Sequence, residues 1–103
     1  MKFGILGSMM LVLLGGCAAP SARRFQFSQV VMGVAARVEV YALDEAAARG
    51  GASLAFARMD ELDAVLSDYR PDSESMRLCR SAGGPAVRAS PDLLAVLLRS
   101  REV

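Results

Sequence analysis

Whatever chemistry this chain performs, it performs without histidine, since none occurs among its 103 residues. That removes Ser/His and Cys/His nucleophilic catalysis, and histidine-ligated metals, within these residues. Carboxylates gather at Asp60, Glu61, Asp63 and Asp68. They would suit a metal only if the side chains converged; neighbouring residues diverge around a helix, so the cluster reads as a solvated face. Asp68 alone does not establish a general base, because one carboxylate is not enough to assign that role. Two cysteines remain, Cys17 and Cys79. Cys17 follows Lys2, an apolar run over 3–14 and the small residues Gly15 and Gly16, the build of a secretory signal with its cleavage point. The run is too short for a membrane-spanning helix, which needs about 20 apolar residues.

Leu14-Gly15-Gly16-Cys17 also resembles a bacterial lipobox. That resemblance implies diacylglycerol on the Cys17 sulfur, cleavage after Gly16 and acylation of the new amino terminus. Several acyl chains anchor firmly, since each buried methylene contributes about 0.8 kcal/mol. The expected location is a bacterial cell envelope, lipid-anchored to the membrane on the periplasmic or outer face. Ala18 in place of Asp after the cysteine weakly favours an outer membrane. If Cys17 carries lipid, Cys79 has no partner in the chain and reads as a small buried hydrophobe rather than a nucleophile.

Residues 17–103 are enough for one small domain and not two. Once Lys2 is set aside, the 11 acidic residues are matched one for one by arginines. Such a balance argues against nucleic acid as a partner, which calls for a basic excess on one face. Residues 17–24 read as a tether, with Arg23 and Arg24 as solvated charges near the membrane surface.

The elements that must position any site begin at Phe25. Phe25 and Phe27 alternate with polar residues, and Ala36, Val38, Val40 and Ala42 alternate with Arg37, Glu39 and Tyr41. Period-two alternation predicts half-buried antiparallel strands, with Gly33 marking a bend or bulge between them. Asp44 is a candidate N-cap for a long amphipathic helix running through roughly Tyr69. Its apolar stripe is Ala48, Ala52, Ala55, Met59, Leu62 and Leu66, and Gly50-Gly51 weakens its first half. Pro71 is expected to stop that helix. Asp72 or Ser73 then caps a short helical turn through Leu78, Gly83-Gly84-Pro85 turns the chain, and 86–89 offers a brief strand. Ser90-Pro91-Asp92 is a helix start, followed by Leu93, Leu94, Val96, Leu97 and Leu98. The apolar content exceeds what these few elements can cover, since a two-stranded hairpin is marginal unless strands or helices screen it. The predicted class is α+β, antiparallel strands packed on a long helix plus a second apolar helix, forming the opening part of a larger domain.

The order of pieces carries a family resemblance. Val31-Met32-Gly33 sits in the first strand, then come the alternating strand and the long helix. The segments Leu66-Ser67-Asp68-Tyr69-Arg70-Pro71-Asp72-Ser73-Glu74 and Val87-Arg88-Ala89-Ser90-Pro91-Asp92-Leu93 follow. This resembles the N-terminal part of the FAD:protein FMN transferases, the ApbE family, over residues 25–103. The resemblance implies cleavage of FAD and transfer of FMN to a Thr or Ser hydroxyl of a target flavoprotein, with release of AMP and a need for Mg²⁺. It assigns flavin-nucleotide contact to Met32 and Tyr69. A tyrosine ring can stack on a planar heterocycle, and a methionine adapts its shape to a ring edge. Asp72 and Ser73 read as caps. Two positions depart from the family pattern: Val34 stands where Thr is usual, and Cys79 where Asn is common. The Mg²⁺ ligands are expected beyond Val103, so no catalytic or metal-binding residue is assigned within 1–103, and FMN transfer by these residues alone is not expected. The alternatives are a small membrane-anchored lipoprotein acting as a non-catalytic binding module, and a reading frame with no stable fold.

Overall fold

The computed structural model describes residues 16 and 18–103. Cys17 and the signal-like segment 1–15 lie outside the described residues, and with them the expected lipid site. Two strands, β1 (Arg23–Val31) and β2 (Val34–Ala42), pair antiparallel from Val31↔Val34 to Arg23↔Ala42. Only Met32 and Gly33 separate them, and both have positive φ, 54° and 74°. Positive φ at both central residues is the two-residue turn whose twist matches that of a hairpin. This corrects the sequence reading of Met32, which belongs to the turn and not to the first strand, while the bend expected at Gly33 is present as the tight hairpin turn. The sheet also starts earlier than Phe25: Arg23 and Arg24 are strand residues, and Arg24 lies 3.6 Å from Glu39 across the pair.

The alternation predicted for β2 is present. Ala36, Val38, Val40 and Ala42 turn inward while Arg37, Glu39 and Tyr41 are exposed. Register puts Phe25 opposite Val40 and Phe27 opposite Val38, so both strands present their apolar residues to the same face. Helix α1 (Glu45–Leu66) covers that face. Asp44 caps it by accepting the Ala47 N–H at 2.8 Å, and the helix runs unbroken through Gly50-Gly51. Ala48 and Ala52, 0% and 2% exposed, let the helix come close to the sheet because neither side chain extends past a methyl. The core forms around Val31, Ala52 and Phe56, with Phe27, Ala36, Val38, Val40 and Met59 against it. Phe56, absent from the predicted stripe, is buried, and Ala55 beside it is only half-buried. Arg49 adds a guanidinium 5.4 Å from the Phe27 ring centroid.

Helix α1 ends at Leu66, short of Tyr69 and well before Pro71, because Ser67 leaves the helical region (φ −61°, ψ 131°). Helix α2 (Glu74–Arg80) takes Ser73, not Asp72, as its N-cap, and it extends past Leu78. The 86–89 segment is not a strand; among the described residues β1 and β2 pair only with each other. Helix α3 (Pro91–Ser100) starts at the predicted Ser90 cap. Arg58 fixes it to α1, bonding Glu61 at 3.0 Å and Asp92 at 2.6 Å. Glu74 accepts the Ser90 N–H at 2.6 Å and joins the starts of α2 and α3. Hydrogen bonding from Ser90, through its side chain first and its backbone second, holds the Glu74 carboxyl below its ordinary value. Leu93 is buried, but Leu94, Val96, Leu97 and Leu98 are 41–49% exposed. Among the described residues the architecture is α+β, two antiparallel strands and three helices, and the shortage of cover anticipated from composition is visible along α3. No helix among the described residues is long and apolar enough to cross a membrane.

Candidate functional site

A cleft of about 570 Å³ opens where the β1–β2 turn meets the C-terminal end of α1. Ligand pockets commonly measure about 300 to 1,000 Å³, so this one can take a ring system. The hairpin turn supplies Met32, Gly33 and Val34; the last turn of α1 supplies Asp63 and Leu66; the loop that follows supplies Ser67, Asp68, Tyr69 and Arg70. Met32 and Tyr69, the two residues singled out from the sequence, therefore line the same cleft although they come from separate elements. Their side chains are available: Met32 is 49% exposed and Tyr69 89%. Tyr41 and Cys79 do not line it; Cys79 is exposed on α2, which corrects its reading as a buried hydrophobe, because that short helix buries none of its residues.

Local chemistry explains the cleft's walls. Hairpin closure holds Met32 in the left-handed region, which a non-glycine residue occupies at a cost. The φ of Met32 thus aims its side chain from the turn, not from the pleat of a strand. On the other wall the Ser67 hydroxyl accepts the N–H groups of Tyr69 and Arg70, each at 3.2 Å. This is the local side chain-to-backbone bonding that competes with helix and here ends α1. Ser73, 0% exposed, donates its hydroxyl to the Ser67 carbonyl at 2.5 Å and accepts the Met76 N–H at 3.1 Å. The two serines of the Ser-x-Tyr-x-Pro-x-Ser segment are thus structural clips, and the tyrosine between them is left facing solvent. Val34 gives the cleft a hydrocarbon lip.

Asp63 departs from the expected solvated face. Its side chain is only 20% exposed and lies 3.5 Å from the Arg70 guanidinium. Asp60 and Glu61 are exposed as predicted. Arg70 also bonds Asp72, through Nε at 3.3 Å and Nη2 at 3.2 Å, and this hydrogen bonding keeps the Asp72 carboxyl below its ordinary value. Asp63 and Arg70 are the cleft residues that sequence reasoning missed. Their signal was available in part, since Asp63, Leu66, Ser67 and Arg70 continue the three- and four-residue helical spacing beyond the helix's own end. The cleft carries two carboxylates, one already-paired guanidinium and the partially negative end of α1. It favours an uncharged planar group over a phosphate. No group of three or more Cys, Asp or Glu that could hold a metal occurs among the described residues, so they do not fit Mg²⁺.

Among known proteins, the model of the ApbE family matches residues 32–103, a stretch that includes both walls of the cleft. No curated protein and no solved structure matches the chain.

Proposed function

This chain belongs to the ApbE family, and from that premise we propose that it serves an FAD:protein FMN transferase, with the cleft between Met32 and Tyr69 receiving a ring of FAD. The observation that carries the reading is the shared cleft: the two side chains with the right chemistry for a flat heterocycle line one opening. Tyr69 offers a free aromatic face and Met32 a polarizable thioether, with Val34 and Leu66 as further apolar contact. The carboxylates of Asp63 and Asp68 and the α1 terminus keep the diphosphate outside, so that the ring is gripped while the phosphates stay open to attack.

In the proposed reaction a Thr or Ser hydroxyl of the target flavoprotein attacks the FMN phosphorus of FAD. An O–P bond forms, the pyrophosphate bond breaks, AMP leaves and the hydroxyl proton is lost. Mg²⁺ supplies charge neutralisation at the phosphates in such transfers. The described residues contribute binding and orientation, the positioning half of a catalysis that otherwise rests on charge stabilisation at the phosphates. The Cys17 reading extends the proposal to a lipid tether, with the reaction at a membrane surface of the bacterial envelope.

Titration of FAD with the full chain, followed by flavin fluorescence, checks the cleft. Saturable binding is expected, weakened roughly tenfold by Tyr69→Ala, the size of one lost stacking contact. Saturable binding that Tyr69→Ala and Met32→Ala both leave unchanged would refute the site.

A further inference from the structure

We propose that Arg70 is a positioning residue: it fixes the loop that carries Tyr69 and acts on ligand through that ring rather than by touching ligand itself. The inference rests on the flavin reading of the cleft. Tyr69 is 89% exposed, so little packing holds its ring, and the ring takes its place from the backbone beneath it. That backbone is tied on three sides. Ser67 accepts the Tyr69 and Arg70 N–H groups from within the loop. The α2 side holds it through Arg77, which donates to the Asp72 carbonyl at 2.5 Å, and Arg80, which donates to the Pro71 carbonyl at 2.7 Å. The α1 side holds it through Arg70, which forks onto Asp72 within the loop and reaches Asp63 on the helix. Among the bonds of this loop, only that last ion pair joins the tyrosine segment to an α1 side chain.

The same geometry argues against Arg70 as an anion hook. Its donors already face two carboxylates, and Asp68 together with the helix C-terminus makes the surrounding potential unfavourable to phosphate. A planar fork able to engage two carboxylates at once is a property of arginine that lysine lacks. Lysine at this position therefore should not restore the loop.

A double-mutant cycle on the full chain, with Arg70→Met, Tyr69→Ala and both together, separates the two roles; Arg70→Lys and Asp63→Asn accompany it. FAD affinity is read by flavin fluorescence, and loop order by the ¹⁵N heteronuclear NOE of the Tyr69 amide without ligand. Arg70→Met is expected to weaken FAD roughly tenfold, to lower the Tyr69 NOE, and to shift the thermal melt by only a few degrees, as suits a pair whose arginine stays open to solvent. The double variant should bind no more weakly than Tyr69→Ala alone. Arg70→Lys should not restore binding, and Asp63→Asn should lower the NOE while leaving the arginine in place. Additive losses in the double variant, or an unchanged NOE in both Arg70→Met and Asp63→Asn, overturn the proposal. If the wild-type chain binds no FAD while the NOE still falls, the flavin reading fails and the positioning of Tyr69 by Arg70 stands.

Discussion

The sharpest consequence of the fold concerns Met32, where a turn's geometry and a ligand contact compete for one residue. The substitution Met32→Asn would put an Asn-Gly pair at the turn, the dipeptide that two-residue hairpin turns with positive φ prefer. The left-handed conformation costs an ordinary L-residue about 1 to 2 kcal/mol, and Asn recovers roughly 1 of this through local hydrogen bonding. Against that stands lost burial. Met32 is 49% exposed, and burying a whole methionine contributes about 1.5 to 3 kcal/mol, so removing a half-buried one forfeits about 1. The two terms nearly cancel, and Met32→Asn should leave stability within about 0.5 kcal/mol of wild type. Met32→Val forfeits apolar contact and adds a β-branched side chain at φ 54°, for a net loss of about 2 kcal/mol. In a domain of this size that is roughly 8 to 16 °C in Tm. Thermal melts by far-UV circular dichroism compare the three proteins, and flavin titration compares their binding, which should weaken in both variants. If Met32→Asn melted as low as Met32→Val, the backbone of the turn would not be what decides stability there. If it bound FAD as wild type does, Met32 would not be a ligand contact.

Ser73→Ala removes a helix cap and leaves the Ser67 carbonyl without its donor, so a loss of about 2 kcal/mol is expected from the urea midpoint. Gly50→Ala should stabilise by about 0.5 to 1 kcal/mol, because a methyl there meets nothing within 4 Å and the helix interior favours alanine. Stability should fall on acidification. Asp72 and Glu74 hold their protons less tightly folded than at their ordinary values of 3.8 and 4.5. The unfolded chain protonates first as pH drops, and the stabilisation present above that range is lost through and below it. Urea midpoints measured from neutral pH down to roughly pH 3 should show the decline, and Glu74→Gln should flatten part of it.

Much of this protein is written in short-range sequence patterns. Alternation from Ala36 to Ala42 fixes which face of β2 is apolar, and Asp44 and Ser90-Pro91-Asp92 mark helix starts, because a strand's two faces and a helix's first turn depend only on residues a few positions apart. Met32 and Tyr69 became candidates through the family resemblance of the segments around them, not through any local pattern of their own.

What tertiary structure decided is where elements meet. Ala55 and Phe56 both suit the spacing of the α1 stripe, and the choice of Phe56 follows from the space left by Val31, Phe27 and Val38 on the facing sheet. A strand at 86–89 had the local composition it needed but pairs with neither β1 nor β2. Asp63 looked like one more solvated carboxylate until the loop after α1 folded back and brought Arg70 to it. The union of Met32 with Tyr69 in one cleft has the same origin. Each is placed by its own turn or loop, but their proximity comes from α1 lying across the hairpin's apolar face, a long-range packing that no local pattern encodes.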